Sequence, residues 1–360
     1  MRSMKGVILH GGRGTRLRPL THTGPKQLIP IANKPMSQYA LEDLRDAGIR
    51  DIAIVLGDVT PEKVIEYYGD GSNFGVRVTY IRQGEPKGIA QAVGLAQDYV
   101  GDDLFVVYLG DNLLRDGIRN LVEDFRGSNA AGQIALCHVK NPEAFGVAEL
   151  NREGRVVRLI EKPKAPPSDL ALVGVYMFRS MIFDVIDRLR PSERGELEIT
   201  EAVQGLMDMG YEVASHVVSG WWKDTGKPED ILEANQLVLS DIRPINRGRL
   251  EGDAIVTGKV SIDEGTVIGT GCTIRGPVII GKNCKLGPET YVGPYSSVGD
   301  DVSIRGGEIE NSIIVGDTVI ECGKRIVNSL IGRNSRIVSA DMNLPKGYKL
   351  ILGENTFISI

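Results

Sequence analysis

The chain is poor in the residues that build stapled or metal-centred folds. Four cysteines in 360 residues, Cys137, Cys272, Cys284 and Cys322, lie too far apart for a disulfide framework or a zinc-ligand spacing. Reduced, buried thiols in a cytoplasmic protein are the expectation. Histidine is equally scarce, with 4 in all, none in a recognisable catalytic motif and the last at His216. No apolar run approaches the length of a membrane span, and the first strand begins almost at the N-terminus, leaving no room for a signal peptide. An excess of positive charge is also missing: 42 Lys and Arg against 47 Asp and Glu give a net charge of −5. Neither nucleic acid nor an anionic membrane is therefore expected as a partner. What remains, 42% hydrophobic and 25% charged residues, is an ordinary globular composition, long enough for two domains with separate cores. Any anionic ligand must be held by local cations.

Those cations come early. The apolar run Gly6-Val7-Ile8-Leu9 reads as a buried first strand, and Gly11-Gly12-Arg13-Gly14-Thr15-Arg16-Leu17-Arg18-Pro19-Leu20-Thr21 follows it. Three glycines in four residues free the backbone for positive φ and for close approach to a ligand. A glycine-rich turn leaving a strand aims amide N–H groups outward, where phosphate oxygens can accept from them. Arg13, Arg16 and Arg18 add charge, and Lys26 follows in Pro25-Lys26-Gln27-Leu28-Ile29-Pro30. Together these segments favour a triphosphate site over a plain strand–helix turn. Neither common phosphate loop fits: G-x-x-x-x-G-K-[ST] is absent from the turn, and Leu17 stands where G-x-G-x-x-G needs its third glycine.

Downstream, strands and helices alternate. Strands are expected over 51–56, 76–81 and 104–109, helices over 34–47, 61–68 and from Gly88, with Gly48 ending the first helix. This spacing predicts a doubly wound α/β sheet, whose ligands sit beyond the carboxyl ends of the strands. The glycine loop, Gln83 and Asp111 all fall just past strand ends. Further on, 145–150 and 156–160 read as a hairpin leading to Glu161-Lys162-Pro163, and Glu196 to Thr200 opens a helix.

G-G-x-G-T-R-L-x-P-L-T followed by P-K-Q-L-I-P resembles, residue for residue, the signature of sugar-1-phosphate nucleotidylyltransferases. Within that superfamily, Thr21-His22-Thr23-Gly24-Pro25-Lys26-Gln27-Leu28 is most similar to long-form glucose-1-phosphate thymidylyltransferases. His10, where many relatives carry a small residue, departs from the pattern and reads as packing. The resemblance implies transfer of dTMP from dTTP to glucose 1-phosphate with Mg²⁺. It implies that Arg16, Lys26 and Lys162 are catalytic, and that Gly11, Gly12, Gly14, Thr15, Gln27, Gln83 and Gly88 bind the nucleotide, Gln83 reading the pyrimidine edge. Asn112, Gly146, Glu161, Val173 and Arg194 correspond to the sugar-phosphate set, and Asp111 and Asp224 to the metal aspartates, Asp224 in Trp221-Trp222-Lys223-Asp224-Thr225-Gly226. UTP in place of dTTP, and glucosamine or galactose 1-phosphate in place of glucose 1-phosphate, stay open.

After a helix over 228–239 the period changes. Val256, Ile262, Ile268, Ile274, Ile280, Leu286, Val292, Val298 and Ile304 recur at every sixth position, and a mostly small residue stands two places before each. This is the hexapeptide signature of a left-handed parallel β-helix, three hexads to a coil. The phase slips near Gly306-Gly307, resumes at Ile314, Ile320 and Ile326, and slips again before Ile331 and Ile337; a loop or distorted coil is expected at each slip. The expected organisation is a catalytic domain over 1–240, a linker over 241–250 and the β-helix over 251–360. β-Helices of this type also carry acyltransferases, which usually employ a histidine base; the repeats contain none, which favours assembly into a homo-oligomer, a trimer being the natural symmetric form.

Overall fold

The computed structural model describes residues 3–339 and 354–359. The chain packs as two compact units. One holds the chain up to Gly14, Thr23–Leu28 and Met36–Asp224; the other holds Thr15–His22, Ile29–Pro35 and the chain from Thr225 on. Among the described residues no helix is long and apolar enough to cross a membrane.

The first unit is a nine-stranded sheet flanked by helices. Its strands are β1 (Met4–His10), β2 (Asp51–Leu56), β3 (Arg77–Arg82), β4 (Leu104–Leu109), β6 (Gly132–His138), β7 (Gly146–Leu150), β8 (Val156–Glu161), β9 (Leu170–Phe178) and β10 (Val213–Val217), with β5 (Asn112–Leu114) and β11 (Trp222–Asp224) in a separate ribbon. The order is β8-β7-β9-β4-β1-β2-β3, with β6 beside β9 and β10 beside β6. From β4 to β3 the strands are parallel, as the alternation predicts. β9 then runs antiparallel to β4, β6 and β7. The sequence did not announce that reversal, because β9 is buried along its whole length and a strand covered on both faces reads alike in either direction.

The local grammar is regular. Helix α1 (Met36–Asp46) buries Met36, Ala40, Leu41 and Leu44, one stripe at helical spacing. It stops at Gly48, whose φ of 83° lets the Ile49 N–H reach back to the Leu44 carbonyl at 3.0 Å and satisfy a terminal acceptor. Helix α2 (Pro61–Tyr68) starts on proline, which gives up no helical hydrogen bond there. The apolar layers on the two faces of the sheet centre on Phe105, Val107 and Phe178 on one side and Leu41, Ile54 and Val106 on the other.

The second unit is built on three parallel sheets of short strands, two of six strands and one of five, which fit the left-handed β-helix. Strands pair in register with partners eighteen residues on, such as Ile262 with Ile280 and Ile280 with Val298. Ile262, Ile268, Ile274, Ile280, Leu286, Val292, Val298 and Ile304 all line its apolar interior. The phase slips are shortened corners rather than loops. Val292 pairs with Ile309, seventeen residues on, and Val298 with Ile314, sixteen on. Gly306 and Gly307, both at positive φ, take the tighter turn, and coil stacking continues without an insertion. The stretch expected as linker, 241–250, carries two strands: Ile245–Asn246 pairs with Ser261–Ile262 and Arg249–Leu250 with Val267–Ile268. Its polar sequence hid them, because a terminal coil has a neighbour on one side only and leaves Ile245 and Leu250 exposed. The expected extent of the repeats to residue 360 lies in part, over 340–353, outside the described residues.

Within this unit the fully buried Asn235, on the helix Pro228–Ser240, is a polar node. Its Oδ1 accepts from the Ala32 N–H at 2.9 Å and the Ser297 hydroxyl at 2.7 Å, and its Nδ2 donates to the Tyr295 carbonyl at 2.9 Å. The hairpin at 30–35 is thereby tied to the repeats, as is Thr15–His22, where His22 Nε2 lies 3.2 Å from the Glu354 carbonyl.

Candidate active site

At the carboxyl end of β1 two polar side chains gather on Gly11. The Gln27 amide donates to the Gly11 carbonyl at 3.0 Å. A Cβ at Gly11 would stand 2.6 Å from Gln83 Oε1, so only glycine lets that amide lie across the turn. Gly12 and Gly14 hold φ of 90° and 59°, the left-handed region that side chains resist. Gln27 Oε1 and Gln83 Oε1 are buried with no hydrogen-bond partner among the described residues, an expensive condition for amide oxygens unless a ligand supplies donors. Gly88, read from sequence as making room for a base, has a nearer reason to be glycine: at φ 113° a Cβ would run into the Leu197 backbone. Lys87 and Ala90 hydrogen-bond the same residue, Leu197 N–H to the Lys87 carbonyl at 2.7 Å and Ala90 N–H to the Leu197 carbonyl at 3.0 Å.

His10 packs edge-on to Tyr68, ring centroids 6.2 Å apart, in keeping with its reading as packing. Neither ring nitrogen has a hydrogen-bond partner among the described residues. Burial pushes its pKa down to about 3, against the opposing pull of Asp111, so the ring is neutral.

The two aspartates expected to share a metal ion, far apart in sequence, come to neighbouring register positions through the ribbon. β5 and β11 pair antiparallel with Asn112 directly opposite Asp224, which sets Asp111 one residue from that register position. Asp111 is ion-paired with Lys26, and both side chains are largely buried. Burial works against the Asp111 charge, but the Lys26 ammonium and the Asn112 amide outweigh it and hold the carboxyl below its usual range. The Asn112 orientation is set by Trp222, a residue that sequence reasoning passed over. The indole N–H donates to Asn112 Oδ1 at 2.7 Å, leaving Nδ2 to donate to Asp111 Oδ1 at 3.1 Å. Gly174 makes this possible, since a Cβ there would stand 3.0 Å from Asn112 Oδ1. Among the described residues no group of three or more His, Cys, Asp or Glu could hold a metal. Two hard carboxylates suit Mg²⁺, which takes few protein ligands and completes its shell with water and phosphate oxygens.

Thr15 and Arg16 begin the short turn Thr15–Leu17 in the other unit. There the Arg16 guanidinium lies against Gly226, where a Cβ would come within 2.8 Å of Nη2; this accounts for the glycine of the Asp224-Thr225-Gly226 turn.

The third cluster lies at the end of β8. Glu161 Oε1 accepts from Arg194 Nη1 at 3.1 Å and faces Lys162 Nζ at 3.7 Å, while Oε2 accepts from the Thr200 hydroxyl at 3.2 Å. Gly146 permits this approach, with Thr200 Cγ2 and Glu161 Oε2 both within 3.1 Å of where a Cβ would be. Lys162 is a non-glycine residue at φ 40°, held there by its N–H on the Phe145 carbonyl at 3.0 Å; such strain concentrates at functional sites. Arg194 is shared by three carboxylates, Glu161, Glu196 and Glu198. Glu198, nearly buried, was legible in sequence only as a helix start. Burial and the adjacent Glu198 charge push the Glu161 carboxyl above its usual range, against Lys162 and Arg194. Val173 is fully buried in the apolar layer, so only its backbone could meet a ligand.

The nucleotidyl transferase family profile matches residues 5–241, and a GMPPB C-terminal domain profile matches 274–356. The low-salt glycan biosynthesis nucleotidyltransferase Agl11 of Haloferax volcanii is 52% identical over 99% of this chain and 100% of its own. The glucose-1-phosphate thymidylyltransferase of Streptomyces antibioticus is 46% identical over 99% of both chains. Among solved structures, a Bacillus anthracis chain described as a glucose-1-phosphate thymidylyltransferase, crystallised with sucrose, aligns with a TM-score of 0.63 at 40% identity. That alignment covers 68% of this chain and 98% of the other.

Proposed function

This chain belongs to the nucleotidyl transferase family, and from that premise we propose that it transfers dTMP from dTTP to glucose 1-phosphate, releasing pyrophosphate. The observation that carries the reading is the ribbon pairing of Asn112 with Asp224, which sets Asp224 one register position from Asp111, the carboxylate ion-paired with the buried Lys26. The relatives named above support the reaction class, and the Streptomyces enzyme supports the choice of nucleotide and sugar.

In the reaction a phosphate oxygen of the sugar phosphate forms a bond to the α-phosphorus while the bond from that phosphorus to the pyrophosphate oxygen breaks. The attacking oxygen is anionic at neutral pH, so no general base is required; the demand is alignment of two anions and neutralisation of charge. Amide groups of Gly11, Gly12, Gly14 and Thr15 and the cations of Arg16 and Lys26 receive the triphosphate. Lys162 and Arg194 hold the sugar phosphate, and Glu161, Asn112, Gly146 and the Val173 backbone meet the sugar. Asp111 and Asp224 would hold Mg²⁺, which when bound offsets phosphate charge. Gln83 and Gln27 present the buried acceptors for the base. The repeat unit serves assembly into a homo-oligomer, a trimer by the simplest symmetry.

The test is a panel of dTTP, UTP, dCTP and ATP against glucose, glucosamine and galactose 1-phosphates with Mg²⁺, scored by pyrophosphate release. The highest kcat/KM is expected for dTTP with glucose 1-phosphate; no pyrophosphate from any pair would overturn the assignment, and a UTP optimum would correct the nucleotide.

A further inference from the structure

The Gln83 amide is not free to choose which end it offers a base. Its neighbour Gln91, on helix α3 (Ile89–Gly94), is gripped by two backbone groups of fixed and opposite polarity. Gln91 Oε1 accepts from the Lys87 N–H at 2.9 Å, and Gln91 Nε2 donates to the Glu85 carbonyl at 3.1 Å. A flipped Gln91 would set carbonyl against carbonyl and N–H against N–H, leaving both backbone groups unsatisfied. Its oxygen therefore faces Lys87 and also Gln83, whose Nε2 donates to it at 3.0 Å. Gln83 in turn cannot flip without opposing two amide oxygens. The consequence is that Gln83 Oε1 points away from Gln91, across Gly11, buried and with no partner among the described residues.

We propose that Gln91 is a positioning residue that fixes Gln83 as a hydrogen-bond acceptor, and so selects pyrimidines carrying a ring N–H over those presenting a ring lone pair at the same place. Thymine and uracil have the N3–H that this oxygen accepts; cytosine has a bare N3 there, and the two acceptors repel. The relay runs from the backbone of the 85–87 turn through Gln91 to Gln83, and Gln91 itself touches no substrate. The inference rests on the reading of Gln83 as the base contact. It leaves thymine against uracil to packing around the methyl group, since both offer the same edge.

Two variants separate this role from a structural one. Gln91→Met keeps length and bulk but removes both amide functions, so Gln83 loses the group that orients it. Gln91→Glu keeps an oxygen for the Lys87 N–H and for Gln83 Nε2. The ratio of kcat/KM for dTTP to that for dCTP, with glucose 1-phosphate as cosubstrate, should fall at least tenfold in Gln91→Met while the KM for glucose 1-phosphate stays within twofold. Gln91→Glu should keep most of the wild-type ratio. Calorimetric binding of dTTP and dCTP should show the same change without turnover. An unchanged ratio in Gln91→Met, or loss of the ratio in Gln91→Glu, overturns the role of Gln91 while leaving the wild-type preference standing. A wild type that binds neither nucleotide overturns the function itself, and the relay with it.

Discussion

The repeats and the site obey different distance rules. In the β-helix inward side chains meet their neighbours at a nearly constant interval: Ile262 meets Ile280 and Ile280 meets Val298, eighteen residues on each time, and from Val292 the step shortens to sixteen or seventeen. At the site no two intervals agree. Lys26 meets Asp111, Asn112 meets Trp222 and Glu161 meets Arg194, each pair brought together across a different separation along the chain. Periodic packing makes stability a sum of near-identical local terms. A site assembled across such separations concentrates its chemistry in a few residues that nothing nearby can replace. Substitutions should therefore separate the two regions by what they damage.

The largest effect is expected at the cations proposed to receive the triphosphate. Arg16→Ala should lower kcat by on the order of a hundredfold or more, the usual cost of removing a charge aimed at the transition state, with the KM for glucose 1-phosphate little changed. Steady-state pyrophosphate release measures both constants. Turnover equal to the wild type would remove Arg16 from the chemistry and blur the contrast at its sharpest point.

The complementary change lies deep in the coil. Ile280 is almost fully buried, and Ile280→Ala removes three carbons from a stacked interior, which costs about 2–5 kcal/mol. The denaturation midpoint of the repeat unit should drop accordingly, while kcat well below the transition stays within twofold. A parallel loss of turnover would mean that coil packing reaches the chemistry. The route to look for would then be Asn235, which ties the hairpin at 30–35 to the coil at Ser297 and Tyr295.

The same contrast decides how much could be read in advance. The hexad rule named the inward residues from Ile262 to Ile304 because each side chain's surroundings are set by its own periodicity. Strands 51–56 and 104–109 were legible for a related reason: continuous apolar runs can be buried only in a covered sheet. Strand direction was not legible at β9, nor was the coil hidden in 245–250, where polar residues pair without an interior on both sides. At the site, the glycine turn and its cations stood out because their spacing is local. Asp224 was singled out by resemblance alone, since its position opposite Asn112 depends on the β5–β11 register. Trp222, Gln91 and Glu198 carried no signal of these roles: each acts by orienting a neighbour, and orientation is a property of the folded environment.

The smallest effect sharpens the comparison through pH. The repeats contain no histidine, whereas the N-terminal unit buries His10 with its pKa pushed down to about 3. In the unfolded chain the same ring protonates near pH 6.5. Below that pH the unfolded state binds a proton that the folded state refuses, so stability falls as pH drops, by about 1.4 kcal/mol per pH unit once well under 6.5. Glu161, whose carboxyl is held above its usual range, works with the opposite sign, since protonation in acid relieves its burial and its repulsion from Glu198. That contribution is common to the wild type and a His10→Ala variant, and cancels between them. Whatever the cavity costs His10→Ala at neutral pH, its unfolding free energy should fall less steeply than the wild type's between pH 6.5 and 4.5. Denaturant titrations at several pH values would show this as converging curves. Parallel curves would mean that His10 finds a proton or a partner in the folded state, and that the acid sensitivity of the N-terminal unit lies in its carboxylates.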